Sequence, residues 1–310
     1  MVEPLEPLVV IAGVTATGKT AAAIELAHRF GGELVGADSV QVYRGFDIGS
    51  AKPGPTELGG IRHHMIDVID PDRDIDAVTY ARMADEAIRD IRDRDRLPIV
   101  VGGTGLWIRA LVRGLVDVPP VDPGIRERLE AVAASNGPAL LHGRLAEVDP
   151  VTASKVHPND TVRIIRALEV YEQTGSPLGA LRASHALGQP RYRALLIALD
   201  MERDAHSTAI ERRILRMLDA GWADEVRALR ARWGDRVRPF GSVGYREMLA
   251  HVRDFVPAEE TIRRIKKSTR TYARRQRTWF RGEPGVSWWS DSAELREPHS
   301  LERIARDLNL

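Results

Sequence analysis

The stretch GVTATGKT, residues 13–20, constrains this chain more than any other. Gly13, Gly18, Lys19 and Thr20 match the pattern G-x-x-x-x-G-K-[ST], with Val14, Thr15, Ala16 and Thr17 in the variable places. An apolar run, LVVIAGV (8–14), leads into it, and a helix-like run, TAAAIELAHRF (20–30), follows. Strand, loop, helix is the setting the motif needs. There, backbone N–H groups and the helix N-terminus face an anion. Lys19 adds a point charge, and the Thr20 hydroxyl is a candidate Mg²⁺ ligand. A chance glycine turn would not explain both flanks. A phosphate is expected here; which molecule carries it stays open.

The rest of the first third repeats the same rhythm. ELVGADS (33–39), HMIDVID (64–70) and LPIVVGGT (97–104) read as strands. VTYARMADEAIRDIRDRD (78–95) reads as a helix with Met83, Ala87 and Ile91 at four-residue spacing. Ala23, Leu26, Ala27 and Phe30 share one face of the first helix. Alternating strands and helices predict a mostly parallel sheet with helices on its faces. After Pro119-Pro120 the pattern changes, and residues 122–185 contain no strand-like run. Asp122-Pro123 opens a helix that Asn136-Gly137 closes. In HPND (157–160) a helix cap accounts for Asn159-Asp160, and the helix stops at Thr174-Gly175. This block reads as a helical insertion. YRALLIALD (192–200) returns to the sheet, and VSWWSD (286–291) is a last strand candidate, with Trp288-Trp289 covering an edge.

A hydrolase of this type places a second carboxylate at a strand end to hold Mg²⁺. The strand IVVGGTG ends in Gly and Thr instead, and ELVGADS delivers Asp38. Ligands of open α/β sheets bind at the edge where these strands end, so Asp38 and Thr104 are expected to face the phosphate. A turn cap is an equal explanation for Asp38. His63 and His64, strand neighbours, point to opposite faces and read as structural.

Charge supplies the second strong signal. The 310 residues carry a net charge of only +1, yet IRRIKKSTRTYARRQRTWFRG (262–282) concentrates nine cations with no acid. They are Arg263, Arg264, Lys266, Lys267, Arg270, Arg274, Arg275, Arg277 and Arg281, with Tyr272, Trp279 and Phe280 among them. Cations and interleaved aromatics suit a nucleic-acid backbone with stacked bases. The alternative is a solvated helix face whose aromatics pack inward. Arg163 and Arg166 share a helix face and are either a second RNA contact or solvated. The chain has no cysteine, which excludes disulfides, cysteine nucleophiles and cysteine zinc sites and fits a reducing, cytoplasmic setting. Its start does not read as a signal peptide, and no run of 18 apolar residues predicts a membrane span.

Seven stretches together resemble one family: GVTATGKT, ADSVQVYRGFDIGSAKP (37–53), IVVGGTGLW (99–107), HPNDTVRIIRALEVYEQTG (157–175), AGWADEV (220–226), SVGYREM (242–248) and RRQRTWFRG (274–282). They occur in order over essentially the whole chain and are similar to bacterial tRNA dimethylallyltransferase, also called tRNA isopentenyltransferase. The resemblance implies an α/β fold: a P-loop NTPase-like parallel sheet flanked by helices, residues 1–120 and 190–310, with an inserted all-helical domain, residues 121–189. It implies transfer of a dimethylallyl group from dimethylallyl diphosphate to N6 of the adenine just 3′ of the tRNA anticodon. Gly13 to Thr20 would hold the diphosphate with Mg²⁺ on Thr20, and Arg213 would help bind it as it leaves. Asp38 would be the general base and Thr104 a neighbour of the target nucleotide. The anticodon arm of tRNA would be met by Asp38, Ser39, Val40, Gln41 and Thr104, by Arg126, Arg163 and Arg166, by Gly241, Ser242, Val243, Gly244, Tyr245 and Arg246, and by Arg274, Arg275, Arg277 and Arg281. A monomer is expected, with no membrane partner. Val14 stands where the family often has Pro, and Ala209 where it often has Arg, which removes one potential phosphate or RNA contact.

Two other readings remain. A kinase with the same core explains the loop and leaves the basic stretch and the insertion unexplained. A nucleotide-gated RNA-binding module explains the basic stretch but not Asp38 and Thr104 beside the loop.

Overall fold

The structure, a computed structural model, describes residues 5–185, 190–290 and 294–308. Two compact units divide the chain, residues 1–112 with 190–310 and residues 113–189.

The first unit is built on six strands: β1 (Pro7–Gly13), β2 (Gly32–Ala37), β3 (His63–His64), β4 (Leu97–Gly102), β5 (Arg193–Leu199) and β6 (Val286–Trp289). All neighbours are parallel, in the order β3-β2-β4-β1-β5-β6. Ile11 of β1 lies opposite Val101 on one side and Ile197 on the other. The central strands are covered on both faces, which is why they read as continuous apolar runs without alternation. Their C-terminal ends share one edge, where the loop of residues 13–20 leaves β1. Gly13 has φ +123°, and a Cβ there would lie 2.2 Å from the Leu199 carbonyl oxygen, so only glycine lets the loop pass this close to β5.

Helices α1 (Lys19–Phe30), α2 (Pro55–Leu58), α3 (Ala77–Arg92) and α4 (Gly105–Arg113) belong to the first half of this unit. The expected face of α1 packs on the sheet, with Ala23, Leu26 and Ala27 buried and Phe30 partly so. On α3 the buried stripe is Tyr80, Ala84, Ile88 and Ile91, while Met83 and Ala87 lie at its margin. The Tyr80 ring stacks on Trp107 at 4.4 Å, and that packing rotates the buried face away from the spacing read in the sequence. The expected strand 64–70 is not formed beyond His64. Met65 and Asp67 have φ of 62° and 54°, a left-handed kink, and Ile69 returns only as an isolated bridge to Tyr43. His64 meets Glu33 at 2.7 Å, and His63 is half-buried with both ring nitrogens shielded from solvent, its pKa pushed down to about 4 by desolvation and by His64.

The second unit holds α5 (Pro123–Asn136), α6 (Pro138–Val148), α7 (Pro150–Ala153), α8 (Thr161–Thr174) and α9 (Leu178–His185), with no strand among its described residues. The caps fall where the sequence placed them: Asp122 accepts from the Ile125 N–H at 2.9 Å, and Asp160 from the Arg163 N–H at 3.3 Å. Leu129, Leu141, Leu145, Ile164 and Leu168 form its core.

Back in the first unit follow α10 (Arg203–Asp219), α11 (Trp222–Trp233), α12 (Tyr245–Asp254), α13 (Ala258–Arg281) and α14 (Pro298–Leu308). β6 closes the sheet edge with Trp289 buried and Trp288 turned outward; Asp291, the end of the expected strand, lies outside the described residues. No described helix is long and apolar enough to cross a membrane.

Candidate active site

The loop after β1 is held from three directions. Val14 accepts the Thr17 hydroxyl at 2.8 Å and the Lys19 Nζ at 2.6 Å. The Thr15 N–H donates to Gln276 Oε1 at 2.8 Å, and the Gln276 amide nitrogen donates to the Gly103 carbonyl at 3.0 Å. His206 of α10 meets the Thr15 carbonyl at 2.8 Å. The loop backbone is thereby fixed by partners on α10 and α13. Lys19 has its pKa pushed down to about 7, first by burial, then by Arg213, with Asp38 opposing. Arg213 is likewise lowered, chiefly by burial. The Thr20 hydroxyl makes no hydrogen bond with a described residue and lines the cavity, which leaves it available to a cation.

Asp38 extends from the end of β2. Its Oδ1 accepts from the N–H groups of Val40 at 2.9 Å and Gln41 at 3.3 Å, so it does cap a turn. Its Oδ2 accepts no hydrogen bond from a described residue and is available to a ligand. Thr104, at the end of β4, accepts from the Ser39 N–H at 3.1 Å and so joins the two strand ends. Gln41 donates to the carbonyls of Ser50 and Ala51, both at 3.1 Å. Tyr272 of α13 has its hydroxyl pKa raised by burial and by Asp38, against the Thr104 and Gln276 side chains beside it.

Two cavities meet here. One, of about 640 Å³, is lined by the loop, Lys19, Thr20, Lys52, Arg212 and Arg216, and also by Ala209. With Ala209 in place of a charged side chain, the lining still holds five cations, with Arg213, against the three acids Asp38, Asp47 and Glu57. The other, of about 820 Å³, is lined by Ser39, Val40, Gly241 to Arg246, Lys267 and Arg275. Thr15, Asp38, Ser50, Arg213, Met217 and Tyr272 line both.

Several expected RNA contacts have their polar groups committed elsewhere. Arg277 makes a two-pronged ion pair with Asp200, Nε to Oδ2 at 2.6 Å and Nη2 to Oδ1 at 2.5 Å. Arg126 and Arg166 both hold Glu169, which is fully buried, at 3.0 and 2.8 Å. The Tyr245 ring is buried, with its hydroxyl on Glu225 at 2.6 Å. The interleaved aromatics also turn inward: Phe280 is buried, and Trp279 lies under the Arg109 guanidinium at 4.2 Å. By contrast Lys267, Arg274, Arg275 and Arg281 are exposed and form no ion pair with a described residue. Arg163 is exposed and loosely tied to Asp160 at 3.3 Å.

Gln276, His206 and Glu225 were not singled out in the sequence, and Tyr272 only as one of the aromatics among the cations. The signal for Gln276 was present: it interrupts the apolar stripe of α13 between Ala273 and Phe280 with an amide, and buried amides need partners. His206, Ile210 and Met217 form a similar stripe on α10.

A family model described as IPP transferase matches residues 41–283. A protein called tRNA dimethylallyltransferase in Sorangium cellulosum is 49% identical over 89% of this chain and 88% of its own length. Another of that name in Symbiobacterium thermophilum is 44% identical over 97% and 94%. The crystal structure of the tRNA isopentenylpyrophosphate transferase of Bacillus halodurans superimposes with TM-score 0.68 at 37% identity, covering 97% of this chain and 98% of that one. A eukaryotic dimethylallyltransferase described as acting on tRNA gives 0.80 at 27% identity, over 97% and 78%.

Proposed function

The chain belongs to the IPP transferase family, and from that premise we propose that it is a tRNA dimethylallyltransferase that transfers the group in one displacement beside Asp38. Dimethylallyl diphosphate is the donor, and N6 of the adenine just 3′ of the anticodon is the acceptor.

The observation that carries this reading is the shared lining of the two cavities by Asp38, Arg213 and Tyr272. A diphosphate on the loop and a base arriving along α13 would meet at that seam. Met217, also shared, offers apolar surface to a five-carbon chain. The base must leave its stack to reach this depth.

N6 attacks C1 of the allylic group, the N–C bond forms as the C–O bond to the diphosphate breaks, and the N6 proton passes to Asp38 Oδ2. Negative charge grows on the departing diphosphate, where loop amides, Lys19 and Arg213 stabilise it. Mg²⁺, held by the Thr20 hydroxyl and the diphosphate itself, would supply further charge stabilisation there. No water needs activation, in keeping with Gly102 and Gly103 at the end of β4 and with Asp200, at the end of β5, taken by Arg277. We place the enzyme in the cytoplasm with its tRNA, as a monomer.

Incubation with tRNA and either labelled dimethylallyl diphosphate or γ-labelled ATP tests the assignment. Label from the prenyl donor is expected in the tRNA. Label moving from ATP to a small acceptor would establish a kinase instead, and tRNA binding without transfer from either donor an RNA-binding module.

A further inference from the structure

The stretch AGWADEV (220–226) has no part in the steps above, yet its Glu225 gathers one loop of the site around itself. Oε2 accepts from the backbone N–H groups of Asp47 at 2.9 Å and Ile48 at 2.5 Å. Oε1 accepts from the Gly49 N–H at 3.2 Å and from the Tyr245 hydroxyl at 2.6 Å. Three successive amides thus converge on one side chain from α11. The nest is closed by rings: a Cβ at Gly49 would lie 2.1 Å from Trp222 Nε1 and 2.6 Å from Tyr245 Cζ.

The next residue carries the consequence. The Ser50 carbonyl accepts from Arg213 Nη2 at 3.2 Å and from Gln41 Nε2 at 3.1 Å. Among the described residues this is the one hydrogen bond Arg213 makes. The half-buried guanidinium lines both cavities, where it feels the opposite charge of Asp38 and repels that of Lys19. That carbonyl is therefore its one hydrogen-bonded anchor, and it belongs to the loop that Glu225 holds.

We propose that Glu225 is a positioning residue for Arg213: by gathering the amides of residues 47–49 it fixes the Ser50 carbonyl, and with it the face that Arg213 turns to the departing diphosphate. This rests on the role of Arg213 proposed above. A carboxylate suits the task because its two oxygens offer about four lone-pair sites to the four donors. A glutamine offers one oxygen and would turn an N–H toward an N–H.

The test is a double-mutant cycle of Glu225→Gln and Arg213→Ala, read as single-turnover transfer from preformed complexes, with tRNA affinity and melting temperature measured alongside. Glu225→Gln is expected to slow transfer by up to about 10²-fold, the cost of a misplaced catalytic group. Its tRNA affinity should stay at the parent value. In the Arg213→Ala background the same change should cost less than about twofold, because its target is gone. The cycle repeated with Glu225→Asp, which keeps the charge but retracts it, should show the same dependence and covers a Gln variant that folds poorly. Additive losses would mean that Glu225 acts independently of Arg213 and would overturn the proposal. So would transfer by Glu225→Gln at the parent rate. If Arg213→Ala alone transfers normally, the role of Arg213 falls and the proposal with it; a slow Arg213→Ala with additive losses removes only the positioning role.

Discussion

Lys19 is tuned by its surroundings, and that makes its charge conditional. In the free protein burial and Arg213 bring its pKa down from 10.5 to about 7. A bound diphosphate favours the charged form, so binding above pH 7 must draw in a proton. Affinity for prenyl diphosphate should be at its full value below pH 7 and weaken as the pH rises through the free-state pKa. Calorimetry in buffers of different ionisation heat reads this uptake, and Lys19→Arg, charged at every pH, should bind without it. A wild-type protein that binds with no proton uptake at pH 8 would refute the lowered pKa. For folding the sign is opposite: unfolded lysine keeps its proton to about 10.5, so this group makes the empty protein more stable as pH rises from about 7. At Asp38 the two roles separate cleanly. Asp38→Asn keeps the Oδ1 acceptor for Val40 and Gln41 but cannot take the N6 proton. Single-turnover transfer should fall about 10²–10⁴-fold with little change in melting temperature. A near-normal rate would reduce Asp38 to its turn.

Among the elements, α13 does two jobs along its 24 residues. Its inner side sends Tyr272 and Gln276 to the cavity beside the loop of residues 13–20, and its outer side carries the cations. These cations are not equivalent. Arg274 and Arg275, like Lys267 and Arg281, are exposed and have no carboxylate partner among the described residues, so they are available to RNA phosphates. Replacing both by Ala should weaken tRNA binding and reduce its log–log salt slope by roughly 0.7–0.9 for each phosphate no longer neutralised, with prenyl-diphosphate affinity unchanged. Unchanged salt dependence would return this side of the helix to ordinary solvated surface. Arg277→Ala should behave differently. It leaves Asp200 without its partner, so the expected loss is stability, about 1–3 kcal/mol, measured by denaturant unfolding.

At the scale of the whole molecule, the chain leaves and re-enters the first unit at one place. The Arg191 N–H donates to the Val112 carbonyl at 2.8 Å, and its Nη1 to the Leu111 carbonyl at 3.1 Å. A segment inserted between adjacent ends can be removed without disturbing the fold around it. With residues 113–189 replaced by a short Gly-Ser linker, the sheet unit should still melt cooperatively and bind prenyl diphosphate. Transfer to tRNA should fall, because Arg163 and the rest of the helical surface are gone. Undiminished transfer would show that the second unit does not help to hold the tRNA.

The sequence by itself determined what is local. A strand, a phosphate loop and a helix lie within residues 8–30, and Asp38 and Thr104 end their strands wherever the sheet is placed. The caps at Asp122 and Asp160 act three residues away. Tertiary structure decided which long side chains reach outward and which are consumed within. Arg277 and Arg274 share one basic run, yet Arg277 meets Asp200, 77 positions away. Gln276 supports a loop 261 positions earlier, and Glu225 one about 177 earlier. Periodicity tells which residues share a helix face. It does not tell which strand end lies opposite that face, because only packing brings the two together.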